Sequence, residues 1–380
     1  MHGRWWSWWD GIDEVDQGRA TFLSPAEPTG RQECRPSLIT QYANALSMIA
    51  FGSPQVYSLS MILVINSLIP VFALIGLGAA LRRGGFLDAA ITGGFNKLAY
   101  WVALPVLLFY KLSQAPISVG AASNYFYCLL AATLLSALIT WGIAATLKTP
   151  MRSTGVMVQG ALRGNLAFVG LPIVLFVIGH LPETERAALE SSVVLGITFT
   201  IILYSLLSVS VLVFFNRDQG AKLEPKVFWR NVLKNPLAIG CISGVLANQV
   251  GLQLPPAVDR TMASLAPAAF PVALLGIGSQ LAATKIRSHV IWALITSFVK
   301  TAISPLIGYA AGRLLGMSGL ELQVAVLFCA MPTAVSSYIL ADQMNADADL
   351  AASAVVVCTI LSFFSLSTIL LLSFVERSKS

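Results

Sequence analysis

Charge is scarce in this chain of 380 residues. Asp, Glu, Lys and Arg make up 11% of it, against roughly 25% in ordinary soluble domains. Histidine is scarcer still, at three residues, and the five cysteines are scattered. Cys34, Cys128, Cys241, Cys329 and Cys358 share no metal-binding spacing, and four of them fall in apolar segments, so they suggest neither a disulfide framework nor a metal site. His2 lies near the N-terminus and His180 and His289 at the edges of apolar stretches, with no HExxH sequence among them. The absence of that motif, of a nucleophile beside a base and of paired acids within an apolar run argues against an intramembrane enzyme. The absence of a Walker sequence argues against direct use of ATP.

What is present is apolar. Hydrophobic residues are 56% of the chain, and runs long enough to cross a hydrocarbon core of about 30 Å recur almost end to end. The expected class is an all-α polytopic membrane protein with ten transmembrane helices. They fall near 59–81, 95–114, 121–147, 153–179, 187–215, 235–251, 258–283, 289–313, 319–343 and 348–375. The net charge of +6 then reflects loop lysine and arginine facing a lipid bilayer, and no nucleic acid partner is expected. Arg82, Arg83, Lys97, Lys148, Arg152, Arg217, Lys222, Lys226, Arg230, Lys234, Lys285 and Arg287 lie on one side. Only Lys111, Arg186, Arg260, Arg313, Arg377 and Lys379 lie on the other. The positive-inside rule therefore places both ends of the ten-helix core outside, in what reads as a bacterial inner membrane. The acidic loop "ADQMNADADL" dissents, but acids weigh little in that rule.

Residues 1–58 differ from the rest, mixing acids and prolines with Trp5, Trp6, Trp8 and Trp9. They read as a disordered extension, with Met48 or Met61 as alternative starts and an interfacial tryptophan anchor as the competing reading. The remainder divides into a first five-helix repeat over 59–215, a cytoplasmic connecting loop over 216–234 and a second five-helix repeat over 235–376. An odd number of spans per half makes the second half enter the membrane in the opposite sense, so related halves would be inverted repeats. "LAYWVALPVLLF" and "LAPAAFPVALLG" echo each other in the second and seventh spans, as do "GNLAFVGLPIV" and "CAMPTAVSSYIL" in the fourth and ninth.

The fourth span contains "RGNLAFVGLPIV", which carries a charge, an amide, two glycines and a proline into the apolar interior. Proline removes a helical hydrogen bond and glycine lets the chain unwind. Irregular backbone at membrane depth survives only inside protein or beside a cavity. Gly164, Gly170 and Pro172 in the fourth span and Pro332 in the ninth are therefore read as helix-break residues. Two half-helix N-termini meeting there would make a site for an anion.

"MILVINSLIPVFALIGLGAALRRGGFL", "RGNLAFVGLPIV", "VKTAISPLIG" and "MPTAVSSYILADQMNADADLAASAVV" together resemble the auxin efflux carrier family, including its bacterial malonate and malate permeases. The similarity covers Met61 to Phe374 and excludes the N-terminal extension. It implies two inverted five-helix repeats with broken, crossing fourth and ninth helices. The first, second, sixth and seventh helices would form a scaffold and the other six a moving unit. It also implies a substrate carboxylate near the crossover, contacted by the asparagine that matches Asn165, and a homodimer.

The candidate substrate-binding residues each carry an ordinary reading beside the functional one. Asn165 offers amide hydrogens to a carboxylate or caps the restarting helix. Arg163 neutralises an anion or bonds free carbonyls at the break; its insertion cost of about 2.5–3.5 kcal/mol demands some partner. Lys300 is a structural or snorkelling side chain, or a fixed charge replacing a coupling cation. Ser336 and Ser337 donate to a carboxylate or bond their own backbone. Glu190 and Asp342 read as solvated at a membrane face, leaving no carboxylate cage for sodium, although backbone carbonyls at a break could hold it. The expected function is a secondary transporter of small organic anions such as malonate or malate, with no cofactor beyond a coupling proton or sodium ion. An anion channel or a membrane sensor with the same inverted repeat is the alternative.

Overall fold

The computed structural model describes residues 54–114, 116–216, 235–284 and 289–377, all within one unit, Ala45–Ser380. The extension expected over 1–58 lies outside the described residues as far as residue 53, and the connecting loop expected over 216–234 lies outside them from residue 217 on. Among the described residues there are helices and no named strand. They are α1 Pro54–Arg83, α2 Ala89–Gln114, α3 Val119–Thr146, α4 Met151–Leu162, α5 Leu166–Ile178 and α6 Glu183–Phe215. After the connecting segment come α7 Pro236–Gln249, α8 Pro256–Ala283, α9 Val290–Leu314, α10 Gly319–Cys329, α11 Ser336–Gln343 and α12 Ala348–Arg377.

Seven of these, α1, α2, α3, α6, α8, α9 and α12, contain stretches long and apolar enough to cross a membrane. The protein is an integral membrane protein. The other three expected spans are different. The sixth is the 14-residue α7, shorter than the roughly 20 residues a straight crossing needs. The fourth is divided into α4 and α5, and the ninth into α10 and α11.

Local chemistry accounts for many of the boundaries. Asp88 caps α2 by accepting the Ile91 N–H at 2.7 Å, and Asn235 caps α7 by accepting the Leu237 N–H at 3.0 Å ahead of Pro236. Within the helices, prolines set a recurring irregularity. Pro105, Pro172 and Pro305 each follow a five-residue π-helical turn, at Ala99–Ala103, Leu166–Gly170 and Val299–Ile303. In every case the proline is the second residue after the turn. A proline ring clashes with the carbonyl one turn back, and the wider π turn moves that carbonyl away without breaking the helix.

The helix surfaces are sorted as lipid demands. Trp101, Leu138, Ile242 and Phe364 are exposed, while Ser136, Thr140, Ser208, Ser297 and Ser362 are buried between helices. Without water outside, small and polar residues favour the contacts between helices. The closest is between α1 and α8, where a β-carbon at Gly78 would overlap the Leu275 carbonyl and one at Gly278 would overlap that of Ile75.

Candidate functional site

The two broken spans meet at their breaks. After α4 the chain leaves helical geometry at Arg163 (φ −102°, ψ 97°), and Gly164 pairs with Thr333 as an isolated antiparallel bridge. The Asn165 N–H donates to the Pro332 carbonyl at 2.7 Å, and the Ala334 N–H donates to the Arg163 carbonyl at 3.0 Å. Each break thus satisfies backbone groups that the other leaves unpaired, which is how non-helical chain persists inside an apolar protein. The Thr333 hydroxyl adds a bond to the Gly160 carbonyl at 2.8 Å.

Of the residues expected to form the break, Gly164 and Pro332 lie in it. Gly170 and Pro172 lie downstream inside α5, where Pro172 accounts for the π turn and Gly170 gives room to Phe328 and Met331.

A cavity of about 310 Å³ opens beside the first break. Arg163, Gly164, Asn165 and Ser336 line it, together with Asn96, Lys97 and Tyr100 of α2, Tyr204 and Ser205 of α6, Asn235, and Gln280 of α8. Asn165 is 6% exposed. Its carbonyl accepts the Val169 and Gly170 N–H groups, but its side chain does not cap the π turn that follows. The amide is therefore left to the cavity. Among the described residues the Arg163 guanidinium has no ion pair and no hydrogen bond to a break carbonyl, which leaves it to the cavity as well.

Lys300 and Ser337 point elsewhere. Lys300 is 1% exposed, and its Nζ donates to the Cys329 carbonyl at 3.1 Å. That carbonyl ends α10, where a helix presents its negative pole. The ammonium also stands against Gly164, where an added β-carbon would come within 3.3 Å of Nζ. Neither Lys300 nor Ser337 lines the cavity, and Ser337 is buried. Of the serine pair, only Ser336 reaches the lining.

Tyr100, Tyr204, Asn96, Asn235 and Gln280 were not singled out by sequence, and Lys97 only as a topology-setting charge. Their common signal, polar groups on α2, α6, α7 and α8, becomes a lining only through helix packing. Tyr100 stacks on Phe168 with ring centroids 6.4 Å apart and planes 9° apart.

The ends of α2, α7 and α8 beyond the cavity are tied together or to α6. Lys111 Nζ pairs with Glu190 at 2.7 Å and Arg186 Nε approaches the same carboxylate at 3.9 Å. Gln114 donates to Asp259 at 2.9 Å and Asn248 to the Ser113 carbonyl at 3.1 Å. This corrects the expectation for Glu190, which is buried and paired because α2 packs over the start of α6; Asp342 is exposed, as expected.

The chain has relatives of the same length class. It is 27% identical over 307 residues to an uncharacterized transporter of Methanothermobacter thermautotrophicus, covering 79% of this chain and 95% of that one. A Rhizobium meliloti protein named "Putative malonate transporter" is 25% identical over 317 residues, covering 80% and 94%. The uncharacterized transporter YfdV of Escherichia coli is 26% identical over 284 residues, covering 74% and 88%. Residues 63–370 match the family model described as Membrane transport protein, and the chain belongs to that family, the auxin efflux carriers.

Proposed function

We propose that this protein is a secondary transporter of small organic anions of the malonate and malate class, working by alternating access. The observation that carries the reading is the cavity at the breaks, whose lining holds an unpaired Arg163 and the uncapped Asn165 amide. A carboxylate supplies what both lack: charge for the guanidinium and acceptor oxygens for both groups. The volume of about 310 Å³ is at the small end of the 300–1,000 Å³ typical of ligand pockets, which favours a few-carbon acid. The malonate named for the Rhizobium meliloti relative fits that size and charge.

The reciprocal pairing of the breaks supports two inverted five-helix repeats, with α4–α5 and α10–α11 as the crossing fourth and ninth spans. The cavity lies toward the ends of α2, α7 and α8 that carry Lys97, Asn235 and Gln280, while the opposite ends are tied through Glu190, Asp259 and Ser113. Access from one face with closure at the other is the arrangement an alternating carrier requires, and the positive-inside assignment makes the accessible face cytoplasmic. Lys300 serves as a fixed cation on the negative end of α10, in the place of a mobile sodium ion. Energy then comes from a proton gradient, a sodium ion bound elsewhere or the substrate's own gradient.

The test is uptake of labelled malonate and malate into proteoliposomes under imposed proton or sodium gradients, with intact protein and Asn165→Ala. Saturable uptake is expected, reduced roughly 10- to 150-fold by the substitution, because a hydrogen bond to a charged group contributes about 1.5–3 kcal/mol. Flux that rises linearly with concentration would replace the carrier with a channel. Saturable uptake indifferent to Asn165→Ala would remove the site from the break.

A further inference from the structure

We propose that Lys97 and Gln280 form a second carboxylate subsite in the same cavity, so that the protein selects dianions over monoanions. This rests on the carrier reading above and adds a determinant that the sequence placed only among topology-setting loop charges.

The argument begins with the charge of the lining. It includes two cations, Arg163 and Lys97, and no aspartate or glutamate. Neither cation has an ion pair among the described residues. A monocarboxylate at Arg163 would leave Lys97, which is exposed but lines the same cavity, without a counter-charge, whereas a dicarboxylate matches both.

Position supports the pairing. Tyr100 of α2 stacks on Phe168, three residues beyond Asn165. Lys97 precedes Tyr100 by three residues, about 4.5 Å along a helix axis. Arg163, Lys97, Tyr100 and Phe168 all line the one cavity, so both cations border the space that a short acid would occupy.

Gln280 completes the subsite. The Asn96 amide donates to Gln280 Oε1 at 3.1 Å, and Asn96 is seated against Gly276, where any β-carbon would collide with its Oδ1. With its oxygen engaged in this way, Gln280 keeps its Nε2 hydrogens without a partner among the described residues. A fixed amide donor and an ammonium on facing helices then meet the distal carboxylate.

The experiment is competition for labelled malonate uptake in proteoliposomes by unlabelled malonate and by propionate, using intact protein, Lys97→Gln, Lys97→Arg and Gln280→Glu. Wild type is expected to prefer malonate. Lys97→Gln and Gln280→Glu should each reduce the malonate-over-propionate preference at least tenfold, while Lys97→Arg retains it. An unchanged preference in Lys97→Gln, with wild type still taking up malonate, overturns the subsite and leaves the carrier standing. If Lys97→Gln does not fold, the Gln280→Glu ratio decides in the same way. Failure of wild type to take up either acid removes the carrier reading, and the subsite with it.

Discussion

The two breaks share one backbone device but treat their side chains in opposite ways. At the first, Arg163 and Asn165 project polar groups that the protein leaves to the cavity. At the second, most of the groups are engaged, although Ser337 Oγ is buried without a hydrogen-bond partner among the described residues. The Thr333 hydroxyl bonds Gly160, its N–H bonds Cys358 Sγ at 3.3 Å, and the carbonyl that ends α10 is taken by Lys300. Ala334, Val335, Ser336 and Ile339 reach the lining, and of these Ser336 alone has a polar side chain. Under the proposed function, the first break, with its unpaired cation and free amide, takes the ligand, and the second, most of whose groups are met, holds it in place. Pairing the backbones of two broken helices is thus compatible with giving them separate tasks.

The sharpest way to break this comparison is at Arg163. Arg163→Gln should lower uptake efficiency by about 100-fold, from loss of roughly 3 kcal/mol of charge-assisted binding, read from the concentration dependence of malonate uptake. The same variant should melt no lower than wild type in detergent, because an unpaired cation at membrane depth costs about 2.5–3.5 kcal/mol to insert. A variant that lost both uptake and stability would make Arg163 a structural residue and end the contrast.

Gly170→Ala tests the packing between the halves. Its β-carbon would stand 2.9 Å from Phe328 Cε1 and 3.1 Å from Met331 Cγ in a filled core. Overpacking of this kind costs about 1–3 kcal/mol, so the melting temperature should fall while the apparent affinity of the folded fraction holds. The smallest effect belongs to Thr333→Val, which keeps the shape but removes the bond to Gly160. About 1 kcal/mol of stability should be lost, visible as a modest shift in thermal melting, with substrate competition unchanged. A larger loss of affinity here than in Arg163→Gln would reverse the roles assigned to the two breaks.

Much of the architecture was legible in the chain. Long apolar runs separated by basic turns specify membrane helices, and "RGNLAFVGLPIV" signals irregular backbone because charge, glycine and proline are costly within such a run. The exact point of breakage was less legible. Pro172 is the most conspicuous breaker in that stretch, yet the helix leaves its path at Arg163 and absorbs the proline through a π turn. A π turn depends on neighbours that fill the widened helix, and those neighbours come from elsewhere in the chain. Lys300 shows the same limit. Its burial follows from its place in an apolar span, but its partner is a carbonyl 29 residues away.

The sequence by itself determined the solvent, the helices and the residues able to face an anion, because hydrophobic length and backbone chemistry are local properties. The tertiary structure decided which of those residues line the cavity. Arg163 and Asn165 came to line a cavity, Lys300 became a brace and Glu190 a buried partner of Lys111. Those assignments depend on which helices pack together and how they are rotated about their axes. Helix rotation is fixed by contacts between distant segments, which no local pattern encodes.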